Sequence, residues 1–322
     1  MAVLVSEYIE AVVMNIYKTC CLVVQTVFLV GMLPYKIISS YLFPSTPKTF
    51  SSVFITGASS GIGAELAKQY ASKGVRLTLT ARRVDKLSEV KRQCEALGAI
   101  VHTVAVDVTN KIAMREAVCE ADDKQPLDLV IANAGVAATT LVQKNDKVLS
   151  DVSSAVTEVN VIGVCNTFGP ALEKMQLRKR GQLVINASFT GVIGMSGDPL
   201  WFAYVPSKIW ACTYGMGLRS ILKLQNIGVT VLCPGLIKTE LVADFEKVGH
   251  GYSKFYAADC GGAVKQMRDG IANDVGMVYV NGGILNNLVA GACGYNLIPS
   301  FLWNELAPLT NMSPPLLSPN NQ

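Results

Sequence analysis

The chain has 322 residues, 50% of them apolar and only 16% charged, with a mean hydropathy of +0.35; this excludes a disordered, coiled-coil or disulfide-stapled protein. Lys and Arg number 28 against 24 Asp and Glu, a net charge of +4 that is too small and too dispersed for a nucleic-acid partner. Nine cysteines with no CxxC pair and only two histidines, His102 and His250, exclude a multi-histidine zinc site and leave a Ser/His/Asp hydrolase without a positioned base, so no metal is expected and the thiols read as spare groups in a reducing compartment.

Residues 19–35 carry no charge and lie between Lys18 and Lys36. That is the shortest length that spans a bilayer. Thr19, Gln25, Thr26 and Pro34 interrupt it, so a monotopic or re-entrant anchor competes with a transmembrane one. Glu7 and Glu10 stand where a secretory leader would be basic, which argues against cleavage, and Lys36 and Lys48 favour a cytosolic side for the rest of the chain. Residues 42–52 are a Pro/Ser/Thr-rich linker. The expected organisation is anchor and linker over 1–51, a globular domain over 52–283, and an apolar C-terminal segment and tail over 284–322.

Within the domain, short apolar runs at 53–56, 76–80, 100–106, 128–132, 182–187 and 229–233 alternate with amphipathic stretches at 61–73, 85–97, 110–122, 150–175 and 203–225. Strands apolar on both faces and separated by helices predict an α/β, doubly wound, Rossmann-type parallel sheet in a single domain. The uncharged stretch 275–303 is broken by Asn281-Gly282-Gly283, Gly291, Gly294 and Pro299, so a last strand at 276–280 precedes an apolar segment that lies against the domain or dips into a membrane surface.

The first strand runs into Thr56-Gly57-Ala58-Ser59-Ser60-Gly61-Ile62-Gly63 and then a helix. Glycines at 57, 61 and 63 permit a tight turn and let a pyrophosphate approach backbone N–H groups at the helix N-terminus. This TGASSGIG turn resembles the cofactor turn of the short-chain dehydrogenase/reductase family. Further motifs follow in the family's order: Asp107-Val108, an adenine-contacting pair; Asn133-Ala134-Gly135, its NAG motif; Asn160, the helix asparagine; Ser188; Tyr204 and Lys208 as a YxxxK pair; and Pro234-Gly235-Leu236-Ile237-Lys238-Thr239, a PGxxxT segment at the nicotinamide. The likeness covers about residues 52–240. It implies cofactor binding by Gly57, Ser59, Ser60, Gly61, Ile62, Gly63, Asp107, Val108, Asn133, Ala134, Gly135, Tyr204, Lys208, Pro234, Gly235, Ile237 and Thr239, and catalysis by Asn160, Ser188, Tyr204 and Lys208.

Tyr204 and Lys208 lie four apart on one helical face, so an ammonium near the phenol is expected to lower the tyrosine pKa and prepare it as general acid or base. Ser188 would bond the substrate oxygen, and Asn160 would anchor the water and lysine of a proton relay. Ser188 and Tyr204 are 16 apart, against about 13 in the family, so a three-residue insertion lies within 191–202. At the end of the second strand Ala81 occupies the place of the acid that NAD-specific relatives carry, and Arg82 and Arg83 follow; guanidinium forks suit a 2′-phosphate, so NADPH is the preferred form of NADP(H).

Lys174 to Arg180 (KMQLRKR) reads as a solvated helix end or as a patch for anionic membrane lipid. Trp201, Phe202, Trp210 and Tyr214 line a substrate pocket, a core or an oligomer face; the resemblance makes a homodimer on that helix one option. Residues 238–256 lie where relatives have a mobile substrate lid. The expected function is NADPH-dependent hydride transfer between nicotinamide and a lipophilic ketone or secondary alcohol, at the endoplasmic reticulum membrane with the catalytic domain in the cytosol. The alternative is a tethered NADP(H)-binding scaffold in which the insertion has displaced Ser188.

Overall fold

The computed structural model describes residues 46–137, 149–193, 201–247 and 257–280. The expected anchor at 19–35 and C-terminal segment at 284–322 lie outside the described residues. Among the described residues no helix is long and apolar enough to cross a membrane.

Seven strands form one sheet: β1 (Ser52–Thr56), β2 (Arg76–Ala81), β3 (Ile100–Ala105), β4 (Leu129–Ala132), β5 (Gly181–Asn186), β6 (Ile227–Pro234) and β7 (Met277–Val280), ordered β3-β2-β1-β4-β5-β6-β7. Every neighbouring pair is parallel, with Thr56 beside Thr80 and Ile55 beside Ile131. Successive side chains alternate faces. Val53 and Ile55 therefore enter one core with Leu66, Leu87 and Val264, while Phe54 enters the other with Met114, Phe168 and Met175. Burial on both faces explains why the inner strands β1, β4, β5 and β6 are largely apolar rather than apolar at every second residue, while the edge strands β3 and β7 are partly exposed.

One layer holds α1 (Gly61–Tyr70), α2 (Val84–Ala96) and α9 (Cys260–Ala272); the other holds α3 (Lys111–Lys124), α5 (Gly163–Arg178) and α7 (Tyr204–Leu222). Shorter helices are α4 (Leu149–Thr157), α6 (Thr190–Ile193) and α8 (Glu240–Lys247). The stretch expected as one helix at 150–175 is two, joined by a π-helical turn over Glu158–Ile162. The order of strands reverses between β1 and β4, and the crevice at their carboxyl ends is where such sheets take ligands. The linker is held earlier than its composition suggests: Lys48 N–H donates to the Ala272 carbonyl at 2.7 Å and its ammonium to Gln182 at 3.1 Å.

The basic run lies at the end of α5, and three of its four cations are paired. Lys174 pairs with Asp123, Arg178 with the buried Asp122, and Arg180 with Asp128, while Lys179 ends α5 in the left-handed region at φ 50°.

Candidate active site

The turn after β1 is built by close approach. Gly57 and Gly61 have φ of +65° and +54°, a region that favours glycine. A Cβ on Gly57 would stand 2.8 Å from Ala134 Cα, and one on Gly63 would stand 2.5 Å from Asn133 Nδ2. Asn133 ties β4 to the turn, donating from Nδ2 to the Thr56 carbonyl at 2.9 Å and accepting from Asn186 Nδ2 at 2.8 Å. Its N–H and that of Ala134 both donate to Thr56 Oγ1. Asn186 Oδ1 is buried without a hydrogen-bond partner among the described residues.

Ser60 is the N-cap of α1, yet its side chain makes no capping bond. Its Oγ instead accepts from Arg83 at 2.5 Å, and the same guanidinium nitrogen reaches Ser59 Oγ at 3.2 Å. The first N–H groups of the helix are thereby left for an anion. Arg83 also donates to Glu240 at 2.7 Å, and Lys86 pairs with the other oxygen of that carboxylate. Glu240 is accordingly held down at a pKa of about 2 by its bonds to Lys86 and Arg83. Lys86 and Glu240 carry no motif; only proximity reveals them. Arg82 turns away from this cluster to Asp107 at 3.4 Å. Burial works to raise the Asp107 pKa, but bonds from the Thr109 N–H and hydroxyl and the Arg82 charge outweigh it and lower it. Val108 is buried, and its carbonyl accepts from Asn166. A Cβ on Gly61 would stand 3.2 Å from the Thr239 side chain, and buried Ile237 bridges to Ala258. Pro234 and Gly235 are fixed by main-chain bonds to Phe189 and Val280, and Ile62 packs into the core beside β1.

At the ends of β5 and β6, Tyr204, Lys208, Ser188 and Asn160 are all buried, at 8%, 5%, 7% and 2% exposure. The Tyr204 side chain is hydrogen-bonded to Ser188, so the extra residues in 191–202 do not displace the serine. Ser188 Oγ also accepts from the Thr190 N–H at 3.2 Å and hydroxyl at 3.0 Å. Gly191 lets α6 lie on α7, since a Cβ there would stand 2.6 Å from the Lys208 carbonyl carbon. Asn160, in the π-helical turn, accepts from the Val136 N–H at 2.9 Å and donates to Val136 O and to Ser207 Oγ, both at 3.0 Å. Its described partners are thus Val136 and Ser207 rather than the expected lysine.

One expectation is reversed. Burial pushes the Tyr204 pKa up to about 12, with the Ser188 bond only partly offsetting it. The Lys208 ammonium donates to the Asn186 carbonyl at 2.8 Å and stands over the ring, 5.5 Å from its centroid; burial of the phenol outweighs it. Burial likewise lowers Lys208 to about 8. Around the tyrosine are Ala137, Val205 and Val242, with Trp201, Leu236 and Leu241 packed against them; the Trp201 ring is 5.7 Å from that of Tyr204. Leu241 and Val242 come from α8, so the stretch expected as a lid contributes a helix beside the tyrosine.

An anion cradle and a buried phenol–ammonium pair on the same carboxyl edge of a parallel sheet belong to the class of nucleotide-dependent oxidoreductases acting on CH–OH or C=O. Residues 51–248 match the family described as short chain dehydrogenase, and the chain belongs to that family. It is 36% identical over 197 residues to an uncharacterized oxidoreductase of Myxococcus xanthus, covering 61% of this chain and 75% of that one. It is 30% identical over 242 residues to the human dehydrogenase/reductase SDR family member 7, covering 71% and 69%. Among solved structures, L-sorbose reductase from Gluconobacter frateurii, complexed with NADPH and L-sorbose, superposes with a TM-score of 0.62 at 23% identity, over 74% of this chain and 98% of that one.

Proposed function

We propose that the protein is an NADPH-dependent reductase of a lipophilic ketone, able to oxidise the corresponding secondary alcohol, and that it works at a membrane. The observation that carries the reading is the buried Tyr204 side chain bonded to Ser188 beside an apolar wall of Trp201, Leu241 and Val242. The residues fit a phosphorylated dinucleotide: Gly57 and Gly63 leave room for a close backbone approach, Ser60 leaves the helix N–H groups uncapped, and Arg83 is placed beside both serines where Ala81 ends β2. The uncapped N–H groups would hold the pyrophosphate, Arg83 the 2′-phosphate, and Lys208 the ribose hydroxyls. When bound, NADPH supplies the hydride.

The chain's own residues do the rest. Ser188, held by the Thr190 N–H and hydroxyl and bonded to Tyr204, is placed to orient the substrate oxygen. Tyr204 donates its proton to the developing alkoxide; a pKa of about 12 keeps that proton in place at neutral pH. Lys208 offers a cation to the tyrosinate so formed. The uncharged stretch 19–35 supports membrane association, the endoplasmic reticulum with a cytosolic catalytic side being the proposed setting, and a tethered enzyme suits a substrate that partitions into lipid.

The test is oxidation of NADPH by the detergent-solubilised chain with an apolar diketone and with a sugar ketone, NADH in parallel, and Tyr204→Phe as control. Tyrosine-dependent turnover of the apolar substrate with NADPH is expected. Binding without turnover in either form would return the scaffold reading.

A further inference from the structure

Glu240 sits where a second anion would compete with it. Its two carboxylate oxygens face Arg83 and Lys86, and Arg83 is at the same time bonded to the hydroxyls of Ser59 and Ser60. Two cations and a pair of hydroxyl-bearing side chains thus converge at the end of β2, beside the turn, and the carboxylate that pairs with both cations is delivered by another element, 157 residues from Arg83 in sequence. All three charged side chains are about half exposed, so the pairs are weak enough to exchange.

We propose that Glu240 is an internal stand-in for the cofactor's 2′-phosphate: it occupies the Arg83/Lys86 cluster in the empty enzyme and gives way when that phosphate arrives, which makes it a determinant of cofactor selectivity. The proposal rests on the NADP(H) reading above and deepens it. A phosphate dianion and a carboxylate cannot share two cations without like-charge repulsion, so binding is an exchange of one anion for another. The exchange reaches the chemistry, because Glu240 opens α8 and the next two residues, Leu241 and Val242, pack in the cluster that holds Tyr204. Lys86 is the second cation of the same site, so removing it should weaken binding of the 2′-phosphate while Glu240 removal strengthens it.

The probes are adenosine 2′,5′-bisphosphate and AMP, which carry the adenosine end alone, titrated calorimetrically into the full chain in detergent at low ionic strength. The wild type should bind the bisphosphate tighter than AMP. Glu240→Gln should tighten the bisphosphate roughly three- to tenfold, the worth of two exposed pairs, and leave AMP within about twofold; Lys86→Ala should weaken the bisphosphate alone. Hydrogen exchange supplies the second readout: the 239–247 segment should exchange faster when the bisphosphate, but not AMP, is added to the wild type, and should be fast already in Glu240→Gln. If Glu240→Gln leaves bisphosphate affinity unchanged or weakens it while the wild type still prefers the bisphosphate, the carboxylate is no competitor and the proposal fails alone. If the wild type shows no preference for the bisphosphate, the NADP(H) reading fails and takes the proposal with it.

Discussion

The ammonium of Lys208 and the main-chain oxygen of Asn186 are joined at 2.8 Å, so the last residue of β5 positions the only cation placed beside the Tyr204 ring among the described residues. Lys208→Met should lower the rate of reduction by about 10²–10⁴, the worth of the proton-transfer arrangement. Lys208→Arg should not restore it. Lys208 is only 5% exposed, and a planar guanidinium is wider than an ammonium. Steady-state kinetics on the three proteins decides this.

The pH profile follows from the same pair. Lys208 is lowered to about 8 and Tyr204 raised to about 12. Reduction should therefore be level near neutrality and fall above pH 8 as the ammonium is lost, while the tyrosine still holds its proton. The stability effect has the opposite sense. The folded lysine binds fewer protons than the unfolded one between pH 8 and its ordinary value near 10.5, so the cost of burying it, present in full below pH 8, is relieved across that window. Urea midpoints of the wild type and Lys208→Met should therefore converge as pH rises through it.

Glycine substitutions should separate close approach from open surface. At Gly63 a Cβ meets Asn133 Nδ2 and the backbone of Gly57, neither of which is a flexible chain end, so Gly63→Ala should cost about 1–3 kcal/mol and weaken AMP binding. Gly217, on α7, has nothing within 4 Å of the same construction. Gly217→Ala should stabilise by about 0.5–1 kcal/mol through helix propensity alone. Thermal midpoints with and without AMP distinguish the two.

The basic run 174–180 should behave as structure. Arg178 bonds Asp122 at 3.0 Å and the Leu127 carbonyl at 2.7 Å, and Asp122 is only 7% exposed. Arg178→Ala strands that carboxylate and should cost about 2–4 kcal/mol, whereas Lys174→Ala, which breaks an exposed pair, should cost under about 1 kcal/mol. Lys179→Gly should stabilise by some tenths of a kcal/mol, because φ there is positive. Chemical denaturation of the three variants gives the ranking.

The inner strands were legible because burial on both faces left apolar runs with polar or glycine-rich ends, and the edge strands β3 and β7 through their β-branched residues; each lies within two residues of its expected bounds. The β5–α7 relation was legible too, as spacing within motifs. What was not legible is contact between distant segments. α9 opens with Gly261-Gly262, which reads as loop; its signal was Asp259, whose side chain caps the helix by accepting from Gly262 N–H. Glu240 lay in a stretch read as a lid, and nothing local ties it to Arg83. The sense of the Tyr204 shift also escaped, because four-residue spacing gives proximity to a cation but not the depth of burial that outweighs it.

The π-helical turn at Glu158–Ile162 carries a further consequence. Such a turn holds one residue more than an ordinary α-turn, and within it lies Asn160, whose amide closes on Val136 and Ser207. The flanking helices α4 and α5 are thereby kept out of phase by that one residue. A deletion of a single codon anywhere in 158–162 would let the winding run straight through, rotating α4 by about 100° against α5 and swinging the asparagine out of its pocket. The length of this segment, as well as its catalytic letters, is thus expected to hold the site together.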